Sequence, residues 1–106
     1  MINAVLMKIK ESLRSLYGDR LKGLVLYGSE ARGDAVPGSD IDVLCILEGP
    51  VSVYKEISAT VEAMTPVEME MGENYSPISI IPADYEGYMG GSCEFYREVR
   101  KEGIPL

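Results

Sequence analysis

The sequence predicts an α+β (mixed α/β) fold: a small mixed sheet with helices packed against it. Three observations point that way. Apolar residues recur at helical spacing in at least two separate stretches. Short apolar runs bounded by Gly, Pro or Ser lie between them and read as strands. The chain has 106 residues, which suits a single domain over residues 1–106 and leaves no room for a second core.

The elements follow in order. Ile2, Val5, Leu6, Ile9, Leu13, Leu16 and Tyr17 recur at helical spacing and Gly18 supplies a stop, so residues 2–17 form an amphipathic helix. "LKGLVLYG" is a short buried strand over about 22–27, ending at Gly28. "SEARGD" gives one or two helical turns, with Ser29 as N-cap and Glu30 in the acid-favouring first turn. "AVPGS" is loop, "DIDVLCIL" a strand over about 40–47, and "EGP" a turn. Val53, Tyr54, Ile57, Val61 and Met64 mark a second amphipathic helix over 51–64, stopped before Pro66. "VEMEM" alternates apolar and acidic residues, the period of a half-exposed strand. "GENYSP" turns the chain and "ISII" makes another strand up to Pro82. "ADYEGYMGG" reads as a short helix and a glycine-rich break. Phe95, Tyr96 and Val99 form the apolar stripe of a last helix over 93–102, capped by Gly103 with Pro105 beyond. The predicted order is α-β-α-β-α-β-β-α.

Composition narrows the chemistry. The net charge of −7 argues against direct nucleic-acid binding, which needs a basic patch to replace counterions. An acidic surface suits a basic protein partner or a site for divalent metals. The chain has no histidine, which removes imidazole bases, His-based triads and the usual zinc ligands. Carboxylates, hydroxyls, Lys, Arg and metals remain. Cys45 and Cys93 form no CxxC pair and read as buried, reduced thiols. No apolar run approaches bilayer length, and "MINAVLMKIKES" lacks the apolar core of a signal peptide, so no membrane association and a cytoplasmic location are expected. Arg97, Arg100 and Lys101, interspersed with Glu98 and Glu102, read as a solvated helix face. Tyr75, Tyr85 and Tyr88 read as packing residues.

One stretch, "LYGSEARGDAVPGSDIDVLCIL", stands apart. Residues two apart on a strand share a face, with α-carbons roughly 6.6 Å apart. Asp40 and Asp42 therefore project together while Ile41 and Val43 enter the core. Two carboxylates so placed repel each other unless a cation lies between them, which points to one or two divalent ions. The alternative is a pair that merely ends a loop. Gly28 lets backbone approach a ligand closely, the Ser29 hydroxyl can donate to a phosphate oxygen, and Arg32 falls one turn along. Plain capping by Ser29 and pairing of Arg32 with Asp34 are the alternatives for those two. Taken together, a Gly-Ser step and an Asp-x-Asp pair after a ten-residue gap, each at a strand end, form a phosphate cradle facing a metal site.

"GSEARGDAVPGSDIDV" resembles the signature of nucleotidyltransferases of the DNA polymerase beta superfamily in their minimal stand-alone prokaryotic form, where GSxARG and SDIDV recur. The ending "EFYREVRKEGIPL" resembles the same proteins. The resemblance implies that Gly28, Ser29, Arg32 and Ser39 hold the nucleotide, and that Asp40 and Asp42 are catalytic and bind Mg²⁺, two ions in all. It implies transfer of NMP, AMP from ATP, to an acceptor hydroxyl. It also implies a HEPN-domain partner, with this chain as an antitoxin that modifies it; a homodimer is a further expectation. Such proteins carry a third carboxylate on a neighbouring strand, where "PISII" here offers Ser79. A serine replaces a carboxylate neither as a metal anchor nor as a base. Glu68 and Glu70, on one face of the "VEMEM" strand, and Asp84 are the candidates to stand in. Without any of them, the rival reading is a non-catalytic protein that binds nucleotide or neutralises a partner by contact alone.

Overall fold

The computed structural model describes residues 2–106. Helix α1 spans Ile2–Tyr17, strand β1 Leu21–Tyr27, helix α2 Gly28–Arg32 and strand β2 Ile41–Leu47. Helix α3 spans Val53–Met69, strand β3 Ile78–Asp84, helix α4 Tyr85–Gly90, helix α5 Glu94–Glu102 and strand β4 Ile104–Pro105. The sheet order is β3-β2-β1-β4. β2 is antiparallel to β1 and parallel to β3, and β4 is antiparallel to β1. The mixed sheet with packed helices is the fold class that the sequence predicts.

β2 is central and covered on both faces, which is why its residues are nearly all apolar. Strand alternation sorts them into two cores. Ile41, Val43, Cys45 and Leu47 join Leu24 and Leu26 beneath Ile9 and Leu13 of α1 and Met64 and Val67 of α3. On the other face Leu44, Ile46, Val25 and Ala83 meet Tyr88 of α4 and Val99 of α5. Each large aliphatic buried this way contributes about 1.5–3 kcal/mol. Glu56 is buried where α3 begins, and its carboxylate accepts from Arg20 at 3.3 Å and from the Tyr17 hydroxyl at 3.2 Å. That network ties α3 to the junction of α1 and β1.

The structure corrects several expectations. The helix expected to stop before Pro66 runs on to Met69, so "VEMEM" is mostly helix and not a strand. Glu56, Thr60, Met64 and Val67 are the buried positions, and that helical stripe crosses the proline, which lies on the exposed flank. The fourth strand is instead β4, fixed by Leu106 N–H donating to the Leu24 carbonyl at 2.9 Å. Gly103 caps α5 as expected, its N–H donating to the Val99 carbonyl at 2.7 Å, but with a φ of −73° and not in the left-handed conformation. It is needed because a β-carbon there would meet the Val25 side chain and the Val99 carbonyl, so glycine lets α5 turn directly onto β1. β3 continues through Pro82 to Asp84, as an edge strand permits. Cys45 is buried, and burial pushes its thiol up to about 12, whereas Cys93 is exposed.

Candidate active site

The site is assembled where β1 ends and β2 begins. In register, Tyr27 lies opposite Asp42 from β1, and Ser79 lies opposite Asp42 from β3. Alternation places all three on the face covered by α4 and α5. Gly28 then turns the chain into α2 with a φ of +73°, and a β-carbon here would collide with the Asp42 carboxylate. Only glycine allows both the turn and this close approach.

α2 begins at Gly28, so its N-cap is Tyr27, and no side chain caps it. Ser29 is therefore inside the helix and not the expected cap, which leaves its hydroxyl available for another partner. Arg32 ends the helix, with Nε 3.4 Å from the Asp34 carboxylate. That is the pair named as the alternative role for Arg32, and both partners are exposed. Asp40 is exposed just before β2, whose start is pinned by Ile41 N–H donating to the Pro77 carbonyl at 2.8 Å. Ser39 Oγ accepts from Val36 N–H at 3.0 Å and so closes its own loop.

Asp42 is the electrostatic centre. Burial raises its carboxyl above the usual carboxylate range, Asp40 raises it further, and Arg32 partly offsets both. The Tyr27 hydroxyl is pushed up to about 12 by burial and then by Asp42, so it remains a proton donor. A half-buried carboxylate beside a second one, against a backbone cradle too tight for a β-carbon, fits a bound divalent cation.

Gly28, Ser29, Arg32 and Asp42 line one cavity of about 410 Å³. Tyr27 and one face of α5 complete its wall. Ser39 and Asp40 lie outside that wall, although Asp40 is near enough to act on Asp42. Glu98 and Glu102 of α5 also border it at its open side, and both are exposed, as the expected solvated helix face requires. Their only signal in the sequence was one-turn spacing on the same stripe as Phe95 and Val99. Phe95 packs edge-on against Tyr27 at 5.5 Å between ring centroids, which fixes that face of α5 over the cavity.

None of the three candidate stand-ins joins Asp42. Glu68 is on α3, behind the sheet, and accepts from Ile78 N–H at 2.8 Å. Glu70 pairs with Lys8 of α1. Asp84 accepts from Gly87 N–H at 3.0 Å and caps α4. It lies opposite Leu47, five residues along β2 from Asp42, or about 17 Å away. Among the described residues, no group of three or more His, Cys, Asp or Glu is gathered to hold a metal.

Comparison with known proteins bears on the family and the fold. Residues 6–93 match the family described as "Nucleotidyltransferase domain". A protein of Methanocaldococcus jannaschii named "Putative protein adenylyltransferase" is 32% identical over 85 residues. That match takes in 79% of this chain and 58% of the relative, so the chain spans under two thirds of the relative's length. A crystal structure of "a putative nucleotidyltransferase" from Sulfolobus solfataricus has the same fold, with a TM-score of 0.61 at 19% identity. The superposition covers 98% of this chain and 83% of the other.

Proposed function

This chain belongs to the nucleotidyltransferase domain family, and from that premise we propose that it is a Mg²⁺-dependent enzyme moving AMP from ATP to an acceptor hydroxyl. The observation that carries the reading is the contact geometry at Gly28, where the backbone approaches the Asp42 carboxylate too closely for any other residue. Gly28 and Ser29 hold the phosphates, and Arg32, once released from exposed Asp34, supports the triphosphate. Asp40 and Asp42 hold two magnesium ions. The chemistry that bound Mg²⁺ supplies is neutralisation of nonbridging phosphate oxygens and orientation of the attacking group. Ser39 acts indirectly, by shaping the loop that delivers Asp40. Placement and electrostatics account for most of the rate.

The acceptor is a hydroxyl on a partner protein of the HEPN type, which the chain neutralises as an antitoxin in the cytoplasm. No helix among the described residues is long and apolar enough to cross a membrane. The name of the archaeal relative supports a protein acceptor and adenylyl transfer. A domain this small leaves the acceptor surface to the partner or to a second copy.

Ser79 beside Asp42 favours a second reading, a protein that binds nucleotide and neutralises its partner without chemistry. Incubation with α-labelled ATP, Mg²⁺ and a HEPN-domain protein separates the two. The enzyme reading expects label on the partner, lost in Asp42→Asn. Unlabelled partner, inhibited equally by wild type and Asp42→Asn, contradicts it.

A further inference from the structure

Nucleotidyl transfer leaves one proton to place, and Ser79, opposite Asp42 on β3, is no base for it at neutral pH. We propose that α5 supplies that base, with the Glu98 carboxylate accepting the proton of the attacking hydroxyl. This rests on the reading of the Asp42 cavity as the nucleotide site. Five observations lead to it. Glu68, Glu70 and Asp84 are engaged elsewhere, at the start of β3, on Lys8 and at the α4 cap. Glu98 lines the same cavity as Asp42, Ser29 and Arg32. It borders them from α5 and is exposed to solvent, where a carboxylate can meet an incoming hydroxyl. The helix that carries it is anchored on both sides of it: Phe95 packs on Tyr27 one turn before it, and Val99, directly after it, is 3% exposed. Finally, Glu98 lies beyond the matched residues 6–93, so the assignment comes from this chain's own packing.

The step balances without a further reactant. The acceptor oxygen forms a bond to the α-phosphorus while its proton passes to the Glu98 carboxylate. The bond from the α-phosphorus to the bridging oxygen breaks, and its electron pair leaves with pyrophosphate. Glu102, one turn on, keeps the wall of the cavity polar. A carboxylate base of this kind contributes about 10²–10⁴-fold to rate.

The test uses water as the acceptor: release of labelled AMP from α-labelled ATP, with Mg·ATP affinity measured separately by calorimetry. Glu98→Gln is expected to lower kcat by about 10²-fold or more while leaving Mg·ATP affinity within about twofold of wild type. Glu94→Gln, on the same helix but outside the cavity wall, is expected to match wild type in both. A Glu98→Gln protein that keeps the wild-type kcat overturns the assignment, as does a wild type that releases no AMP above the Asp42→Asn background. Mg·ATP affinity unchanged in Asp42→Asn instead overturns the nucleotide site itself, so the two failures are told apart.

Discussion

Asp42 is a charge kept in a place that disfavours charge. Its carboxyl is raised above the ordinary value of 3.8, so the folded protein holds its proton more tightly than the unfolded chain does. The stability this gives is complete below that value and is lost as pH rises through the raised pKa. Metal-free Asp42→Asn should therefore melt above wild type at neutral pH, with the gap closing below pH 3.8. Scanning calorimetry across that range checks both the sign and the closure. Mg²⁺ should raise the melting point of wild type more than that of the variant. Gly28→Ala makes a harsher change, because it strains a φ of +73° and drives a methyl into Asp42. A loss of about 1–3 kcal/mol by urea unfolding is expected, together with loss of nucleotide binding. Ser79→Asp should do the reverse for the metal: a carboxylate beside Asp42 should tighten Mn²⁺ binding by about tenfold and weaken the metal-free fold. The meeting of Gly28, Ser29 and Asp42 at one cavity was legible in the sequence because the glycine turn and strand alternation bring them together from one short stretch of chain. Glu98 was not, since nothing within its own helix separates a cavity-facing carboxylate from a solvated one. The exposure of Cys93 was equally hidden, since a thiol's burial depends on what packs over it.

At the scale of elements, α3 shows how packing overrides local signals. "VEMEM" carries strand alternation, and Pro66 is a helix breaker. Yet Val67 follows Met64 at helical spacing, and burying both holds the helix together. Val67 and Met71, which meet the same core, are four residues apart, a step that fits both the strand and the helix period, so sequence alone chose wrongly. Since proline in a helix interior costs about 3 kcal/mol, exposed Pro66→Ala should stabilise the protein by about 1–3 kcal/mol in urea. The start of α3 gives a second expectation. Glu56 is 5% exposed, whereas the Arg20 side chain that pairs with it is 39% exposed. Arg20→Met strands a buried carboxylate and should cost about 3 kcal/mol. Glu56→Gln leaves an arginine able to reach water and should cost clearly less. Equal losses in parallel unfolding curves would contradict this account of the network. β4 had no signal in the sequence: two residues carry too little pattern, and the strand exists because Gly103 returns the chain to β1.

Over the whole molecule, the two faces of the sheet divide the labour. α1 and α3 cover one face and carry most of the large buried side chains. On the other face α4 and α5 cover less and leave the cavity open above Asp42. A larger cavity of about 600 Å³ opens near the start of α1 and the end of α3, and its wall includes Glu30 and the 35–38 loop but neither Ser29 nor Asp42. Size is therefore not the ground on which the proposed chemistry is assigned; the ground is the convergence of Gly28, Ser29 and Asp42 on one cavity. The fold class, the two paired strands and the phosphate-and-carboxylate constellation were readable because they lie within one short stretch of chain. The far wall was not, because α5 reaches the site only through the closing turn at Gly103. The most direct test is calorimetric titration of the protein with ATP in the presence of Mg²⁺. Saturable heat at one nucleotide per chain, abolished in Asp42→Asn and in Gly28→Ala, is the predicted result. Absence of heat in wild type, or equal heat in wild type and Asp42→Asn, would contradict the account.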